Sequence, residues 1–213
     1  MRLFVTVGVV LCVFGLAGCA LPPAAQTAPV QSQMQPLESR RYVTGDVHEF
    51  VDDEGRRGAS TARVLEDGLV RVSTTLEGFD KPCVTRVYAN TFAPPLEFRN
   101  CGTSSGTYTT KRIGDSIFPL SEGRSEAWRY SVSANTGYAA DGTRSCEVKT
   151  TVNITVPAGT FDAYHVVCED NLFLHEWYLD QRGVLLQFTR TNKRGALDSR
   201  IVRKLVSFTP GTT

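Results

Sequence analysis

CEVKTTVNITVPAGTFDAYHVVC, residues 146–168, is the stretch that decides the fold of this chain. Val148, Val152, Ile154 and Val156 alternate with polar residues at the two-residue period of a half-buried strand, and Pro157-Ala158-Gly159 supplies a turn. Phe161 to Cys168 then returns in aromatic and β-branched residues. Folded about that turn, Cys146 comes to lie opposite Cys168, and a disulfide between them is expected. The same pattern runs in both directions from this hairpin. Tyr42–Val51, Ala62–Leu65, Leu69–Thr75, Val84–Ala89, Leu96–Asn100, Thr107–Ile113, Ala127–Ser133, Leu172–Leu179, Val184–Thr191 and Arg200–Phe208 are short, rich in Val, Thr, Tyr and Phe, and divided by turn residues. The turns Asp53-Glu54-Gly55, Glu66-Asp67-Gly68, Asp141-Gly142 and Lys193-Arg194-Gly195 each end in a glycine that can take positive φ. Leu197, Ile201 and Leu205 would also line a helix face, but a strand is favoured for the last segment. The expected fold is all-β, with few or no helices: a strongly curved antiparallel sheet, an open half-barrel or β-sandwich-like. Gly45 to Phe50 and Gly123 to Trp128 each place a glycine five residues before an aromatic, a faint internal echo.

Upstream, Met1-Arg2 precede an uncharged run, Leu3 to Leu16, and then Ala17-Gly18-Cys19, the order of a secretory signal. A retained transmembrane helix is the competing reading, but Pro22-Pro23 would stop it. Leu16-Ala17-Gly18-Cys19 resembles the lipobox of bacterial lipoproteins. That resemblance implies a signal peptide over 1–18, lipid on the Cys19 thiol, and Cys19 as the mature N-terminus. More than one acyl chain is needed for stable anchoring, since each buried methylene contributes only about 0.8 kcal/mol. In the Gram-negative pattern an Asp after the cysteine favours the inner membrane. Ala20 stands there, so the resemblance points to the outer membrane, facing the periplasm. Residues 19–39 are mostly Pro, Ala, Gln, Thr and Ser, with almost no charge and few large apolar groups, and read as a disordered tether. Residues 40–213 then form a single all-β domain.

Without Arg2 the chain carries 22 basic and 22 acidic residues, which argues against nucleic acid as a partner. Arg40-Arg41 and Lys193-Arg194 read as solvated edge residues. Cys12 leaves with the signal, so Cys83, Cys101, Cys146 and Cys168 remain in an oxidising space. Cys83–Ala89 and Leu96–Cys101 flank Asn90 to Pro95, which opposes Cys83 to Cys101 and gives the second expected disulfide. None of these cysteines has the close spacing of a zinc site, and neither metal nor other cofactor is expected.

Phe118-Pro119-Leu120 with Gly123, Trp128 with Tyr130, Val156-Pro157-Ala158-Gly159-Thr160-Phe161 with Tyr164, and Trp177-Tyr178 with Gly183-Val184 resemble a group of secreted bacterial β-sheet proteins. Those carry P-L-x-x-G, W-x-Y, V-P-A-G-T-F-x-x-Y and W-Y…G-V in the same order. The resemblance covers roughly Pro119 to Arg190 and implies a curved sheet like that of periplasmic lipoprotein carriers, without an activity. Gly102-Thr103-Ser104-Ser105-Gly106 matches the G-x-S-x-G elbow in letters only, because β-prone residues follow where a helix is required. His48, His165 and His175, even beside Glu49, Glu169 and Glu176, read as lone strand histidines, and Asp162, Asp170 and Asp180 as turn caps. No catalytic constellation emerges, so an enzyme is not expected. The aromatics lead further: Trp128, Tyr130, Phe161, Tyr164 and Trp177 could wall an apolar pocket, since a sheet without covering helices must close, pair or hold a ligand. The expected function is a membrane-anchored module binding an apolar or lipid ligand. An assembly lipoprotein contacting another envelope protein is the alternative, and an envelope hydrolase the weakest reading.

Overall fold

A computed structural model describes residues 34–40, 42–193 and 200–212. Cys19, the signal segment, most of the expected tether and the turn beyond Lys193 lie outside the described residues.

The strands are β1 (Val47–Asp52), β2 (Arg57–Val64), β3 (Leu69–Leu76), β4 (Cys83–Tyr88), β5 (Glu97–Cys101), β6 (Ser104–Ile113), β7 (Ser125–Ala134), β8 (Ala139–Val156), β9 (Gly159–Glu169), β10 (Phe173–Leu179), β11 (Leu185–Asn192) and β12 (Arg200–Thr209). Each pairs antiparallel with its neighbours in sequence, and β1 also pairs with β12, Val47 opposite Thr209 and Asp52 opposite Arg203. The all-β antiparallel sheet therefore curves past a half-barrel and closes on itself. Closure removes the two exposed edges that an open sheet would have to protect.

Two features bend the sheet. Bulges interrupt the register at Glu49/Phe50, Phe98/Cys101, Val148/Thr150 and Tyr178/Leu179, each raising the local twist. Cross-strand pairs of an aromatic with a glycine recur at Phe50–Gly58, Phe98–Gly106 and Tyr130–Gly142. In each the ring lies over the bare backbone: a Cβ on Gly58 would fall 2.4 Å from the Phe50 ring, and one on Gly142 2.5 Å from the Tyr130 hydroxyl. Such pairs let strands bend inward while the ring fills the space that is left. This also explains a departure from the sequence reading. Asp141-Gly142 is not a turn but the early part of β8, which runs back to Ala139, with Gly142 seated under Tyr130. The glycine–aromatic echo has a counterpart, since Gly45 and Gly123 both take positive φ two residues before β1 and β7.

Alternate residues separate inside from outside. On β7, Glu126, Trp128, Tyr130 and Val132 are buried, while Ser125, Arg129, Ser131 and Ser133 are exposed. On β8, Arg144, Cys146 and Val148 are buried, while Asp141, Thr143 and Ser145 face outward. A membrane-spanning barrel needs the reverse, an apolar outer band.

Loops fill one part of the interior. Phe92 from the β4–β5 loop and Ile117, Phe118 and Leu120 from the β6–β7 loop pack with Cys146, Val148, Tyr164, Val166 and Leu179. Leu37 joins them. Its backbone pairs with Leu120 through bonds of 3.2 and 2.9 Å, and its side chain is 8% exposed. The Gln35 carbonyl accepts from Gln181 Nε2 at 2.7 Å and from the Tyr164 hydroxyl. Residues 34–39, read from sequence as the end of a tether, are therefore docked into the domain. Burying Leu37 is worth about 1.5–3 kcal/mol, enough to order a short segment whose composition alone gave no sign of it.

Disulfides join Cys83 to Cys101 and Cys146 to Cys168. The second links directly opposed residues of β8 and β9 and is buried in the interior cluster. The first ties β4 to the end of β5, where Asn100 takes a positive φ of 53° and the register shifts.

Candidate functional site

The inward face of β7 to β12 can be followed residue by residue across the ladder. Trp128 opposes Arg144, Val148 opposes Val166, Val166 opposes Trp177, Trp177 opposes Phe188, and Phe188 opposes Arg203. Four of the five aromatics expected to form a pocket lie on this face. Trp128 stacks on Tyr88 at 5.8 Å beneath the Arg112 guanidinium, and Tyr130 meets Tyr108 edge-on at 5.6 Å. Trp177 sits among Phe92, His175 and Phe188 at 5.2, 5.3 and 5.4 Å. Tyr164 is fully buried in the loop-filled cluster.

Phe161 is not with them. It opposes Ile154 across β8–β9 and packs against Val156, Ala163, Val184, Leu186 and Leu205. There, with Ala158, Arg182 and Phe208, it borders an open groove of about 440 Å³. The five residues do not form one apolar pocket. Strand parity puts Phe161 on the other face from Tyr164, and the loops fill the space in front of Trp177.

Sequence reading missed the charged groups inside the ring. Arg144 Nη2 donates to Asp170 Oδ2 at 2.8 Å, with side chains only 8% and 4% exposed. His175 Nε2 stands 3.3 Å from Arg144 Nη2 and 3.4 Å from Asp170 Oδ2. Asp170 Oδ1 also accepts from the Leu172 and Phe173 amides, so this residue caps its turn as expected and anchors a buried ion pair as well. Burial alone would raise the Asp170 carboxyl, but hydrogen bonds from His175 and Arg144 and the Arg144 charge hold it well below the usual carboxylate range. Burial, aided by Arg144, pushes His175 down to about 4, so its imidazole is neutral near pH 7. Tyr130 is pushed up to about 12, chiefly by burial.

Two further guanidiniums face inward from β11 and β12. Arg190 lies over the Phe173 ring at 4.9 Å and Arg203 over the Phe50 ring at 4.9 Å. Among the described residues neither has an ion-pair partner, and Arg203 Nε has no hydrogen-bond acceptor. Asp52, the acidic residue opposite Arg203, is already held by Arg56 at 2.8 Å. Burial lowers both arginines from their ordinary values. Beside Arg203 is a cavity of about 110 Å³, walled by Phe50, Ala62, Val72 and Phe188, with Ser60 and His48 as neutral polar groups. Burial pushes His48 down to about 4.

His165 pairs with Glu176 at 3.0 Å and stacks on Tyr178 on the face that carries Phe161, away from the interior charges. Among the described residues no three metal-ligating side chains converge. Ser104 and Ser105 belong to β6, a strand, and among the described residues no histidine hydrogen bond reaches either. The missed residues did carry a signal. Arg144, His175, Arg190 and Arg203 share strand parity with Cys146, Trp177, Phe188 and Leu205, so each is a polar group at an inward position.

By fold, the chain belongs with closed antiparallel β-barrels of polar exterior and aromatic interior. No protein-family model and no curated protein matches it. Among solved structures it is similar to the hypothetical lipoprotein YmcC of Escherichia coli K12, at 10% identity and a TM-score of 0.49 over 79% of this chain and 87% of that one. It is also similar to a Bacteroides fragilis chain of YmcC-like fold, at 14% identity and a TM-score of 0.42 over 81% and 99%. The structure of the Pseudomonas aeruginosa MucA/MucB complex matches at 12% identity and a TM-score of 0.33, over 79% of this chain and 52% of that one.

Proposed function

We propose that this protein is a lipid-anchored binding module of the bacterial cell envelope, tethered through Cys19 to the outer membrane and facing the periplasm, whose barrel interior takes an apolar or lipid ligand. The anchor rests on Leu16-Ala17-Gly18-Cys19 following an uncharged run, and the oxidising compartment on two intramolecular disulfides. The observation that carries the ligand reading is the interior itself. Aromatic and aliphatic side chains point inward on a ring whose exposed strand positions are mostly polar, Val64 and Ile113 excepted, and the loops leave a cavity between Phe50 and Phe188. Apolar concavities with few polar groups are the usual form of small-molecule sites.

The test is purification of the full chain from its own membranes, followed by mass analysis of the mature protein and of a solvent extract. Expected are an N-terminal acylated cysteine and a stoichiometric apolar compound in the extract. An unmodified leader would overturn the anchor, and an extract free of any such compound would overturn the ligand.

An assembly role has its own support. The loop-borne Phe92, Phe118 and Leu120 occupy much of the interior, and the groove beside Phe161 is open to the outside. A defined protein partner cross-linking at Phe161 or Phe208, with an empty extract, would favour that reading.

A further inference from the structure

From the charges around the cavity beside Arg203 we infer that the ligand is an anionic amphiphile, with a carboxylate or phosphate head received by Arg203 and an alkyl tail against Phe50, Val72 and Phe188. The inference rests on the reading of the barrel interior as a ligand site and adds the chemistry of what binds there. Two guanidiniums, Arg40 and Arg203, line the cavity, and no carboxylate does. Arg40 lies over Tyr42 at 4.5 Å, and its backbone amide, not its side chain, bonds Asn90. The nearby acidic groups are engaged. Asp52 accepts from Arg56 Nε and from the Glu54 and Arg56 amides, and Asp46 accepts from the Val43 and Gly211 amides. Arg190 is two residues along the same inward face of β11 from Phe188, the partner of Arg203, and adds a third positive charge, with no ion-pair partner among the described residues.

An unpaired cation in such a setting costs stability, and a protein keeps one where it is used. The remaining wall is aliphatic and aromatic apart from Ser60, Tyr42 and the neutral His48, so a bare hydrated ion would leave it without a partner. At about 30 Å³ per water the space is that of three or four waters, enough for an oxyanion head and the first carbons of its chain. The half-buried inward residues Val72, Thr85, Val87 and Phe98 extend the wall along β3 to β5 for the rest.

The experiment uses the full-length protein in a neutral detergent, stripped of bound lipid, with four probes followed by calorimetry: octanoate, octyl phosphate, octanol and inorganic phosphate. Octanoate and octyl phosphate should bind at least tenfold more tightly than octanol, which lacks the charge, and than inorganic phosphate, which lacks the tail. Arg203→Met, which keeps the stem over Phe50, should weaken both anionic probes at least tenfold and leave octanol unchanged, and Arg203→Lys should restore much of the binding. The melting temperature of Arg203→Met should equal or exceed that of the wild type, which separates a lost contact from a lost fold. Equal binding of octanol and octanoate, or unchanged anion binding by Arg203→Met, would overturn the head-group assignment while leaving an apolar site intact. Inorganic phosphate binding as tightly as octyl phosphate would replace the amphiphile with a free anion. Failure of all four probes would overturn the ligand site itself.

Discussion

Replacing Asp170 by asparagine isolates the charge of the buried pair from its geometry. Asparagine keeps an oxygen able to accept from the Leu172 and Phe173 amides, now at 3.0 and 2.8 Å, so the turn into β10 stays capped. What disappears is the negative charge 2.8 Å from an Arg144 guanidinium whose side chain is 8% exposed. Removing one partner of a buried pair typically costs about 3–5 kcal/mol, because the other is left uncompensated in low dielectric. Arginine cannot escape by losing its proton, and the neighbouring His175 supplies no countercharge. For a domain of this size that corresponds to a fall of about 6–20 °C in melting temperature. Arg144→Met should cost less, since the stranded carboxylate keeps two backbone donors and can take up a proton. The double variant Arg144→Met/Asp170→Asn should recover most of the loss, because removing both members of such a pair is often near neutral. Thermal and denaturant unfolding of the four proteins gives the cycle. Asp170→Asn within about 1 kcal/mol of wild type would mean that water reaches Arg144 and the interior is wetter than its burial implies. A double variant as unstable as the single would mean that shape, not charge, carries the effect.

Three further outcomes are expected. Stability should be fullest above about pH 6.5 and fall as pH drops toward 4: burial holds His48 and His175 to about 4 when folded, against 6.5 in the open chain, so unfolding takes up protons in that window. The limiting slope is about 2.7 kcal/mol per pH unit for two protons, and denaturant midpoints unchanged between pH 7 and 4.5 would contradict it. Below the ordinary carboxylate range the depressed Asp170 adds a second loss, because its contribution is present above 3.8 and disappears as pH falls further. Cys146→Ala/Cys168→Ala should lose about 3 kcal/mol from a loop with a sequence separation of 22, read by denaturant unfolding, and no change would show the open chain to be constrained already. Gly106→Ala should cost about 1–3 kcal/mol, since its Cβ would stand 2.3 Å from the Ser133 carbonyl and 2.7 Å from the Phe98 ring, whereas Gly55→Ala, with open space around it, should cost only the strain of positive φ.

The strands were legible because their signals are local. Val148 to Val156, the Pro157-Ala158-Gly159 turn and Phe161 to Cys168 carry alternation, punctuation and return within one segment, and β8 and β9 follow from them. Closure was not legible, because it depends on β1 meeting β12 across the whole domain, and nothing near Val47 or Thr209 announces that partner. Asp141-Gly142 misled for a related reason. A glycine that makes room for Tyr130 on the adjacent strand looks the same in sequence as a glycine that turns the chain. The docking of Leu37 on Leu120 was not legible because an isolated leucine in a Pro- and Gln-rich segment carries no periodicity and little apolar surface. The aromatic face was visible through parity. Applying that parity to arginines as well would have placed Arg144, Arg190 and Arg203 inside the ring, while their spacing to Asp170 and Asp52 is set only by the folded register.

Because every strand but one pair is stitched to its neighbour in sequence, a single seam, Val47–Asp52 against Arg200–Thr209, completes the structure. That seam joins the first strand to the last, so a chain emerging N-terminus first stays an open ribbon until its final strand has arrived. For a protein that crosses a membrane as proposed here, the consequence is kinetic: while β12 is still to emerge, the cylinder has no seam to close and cannot lock.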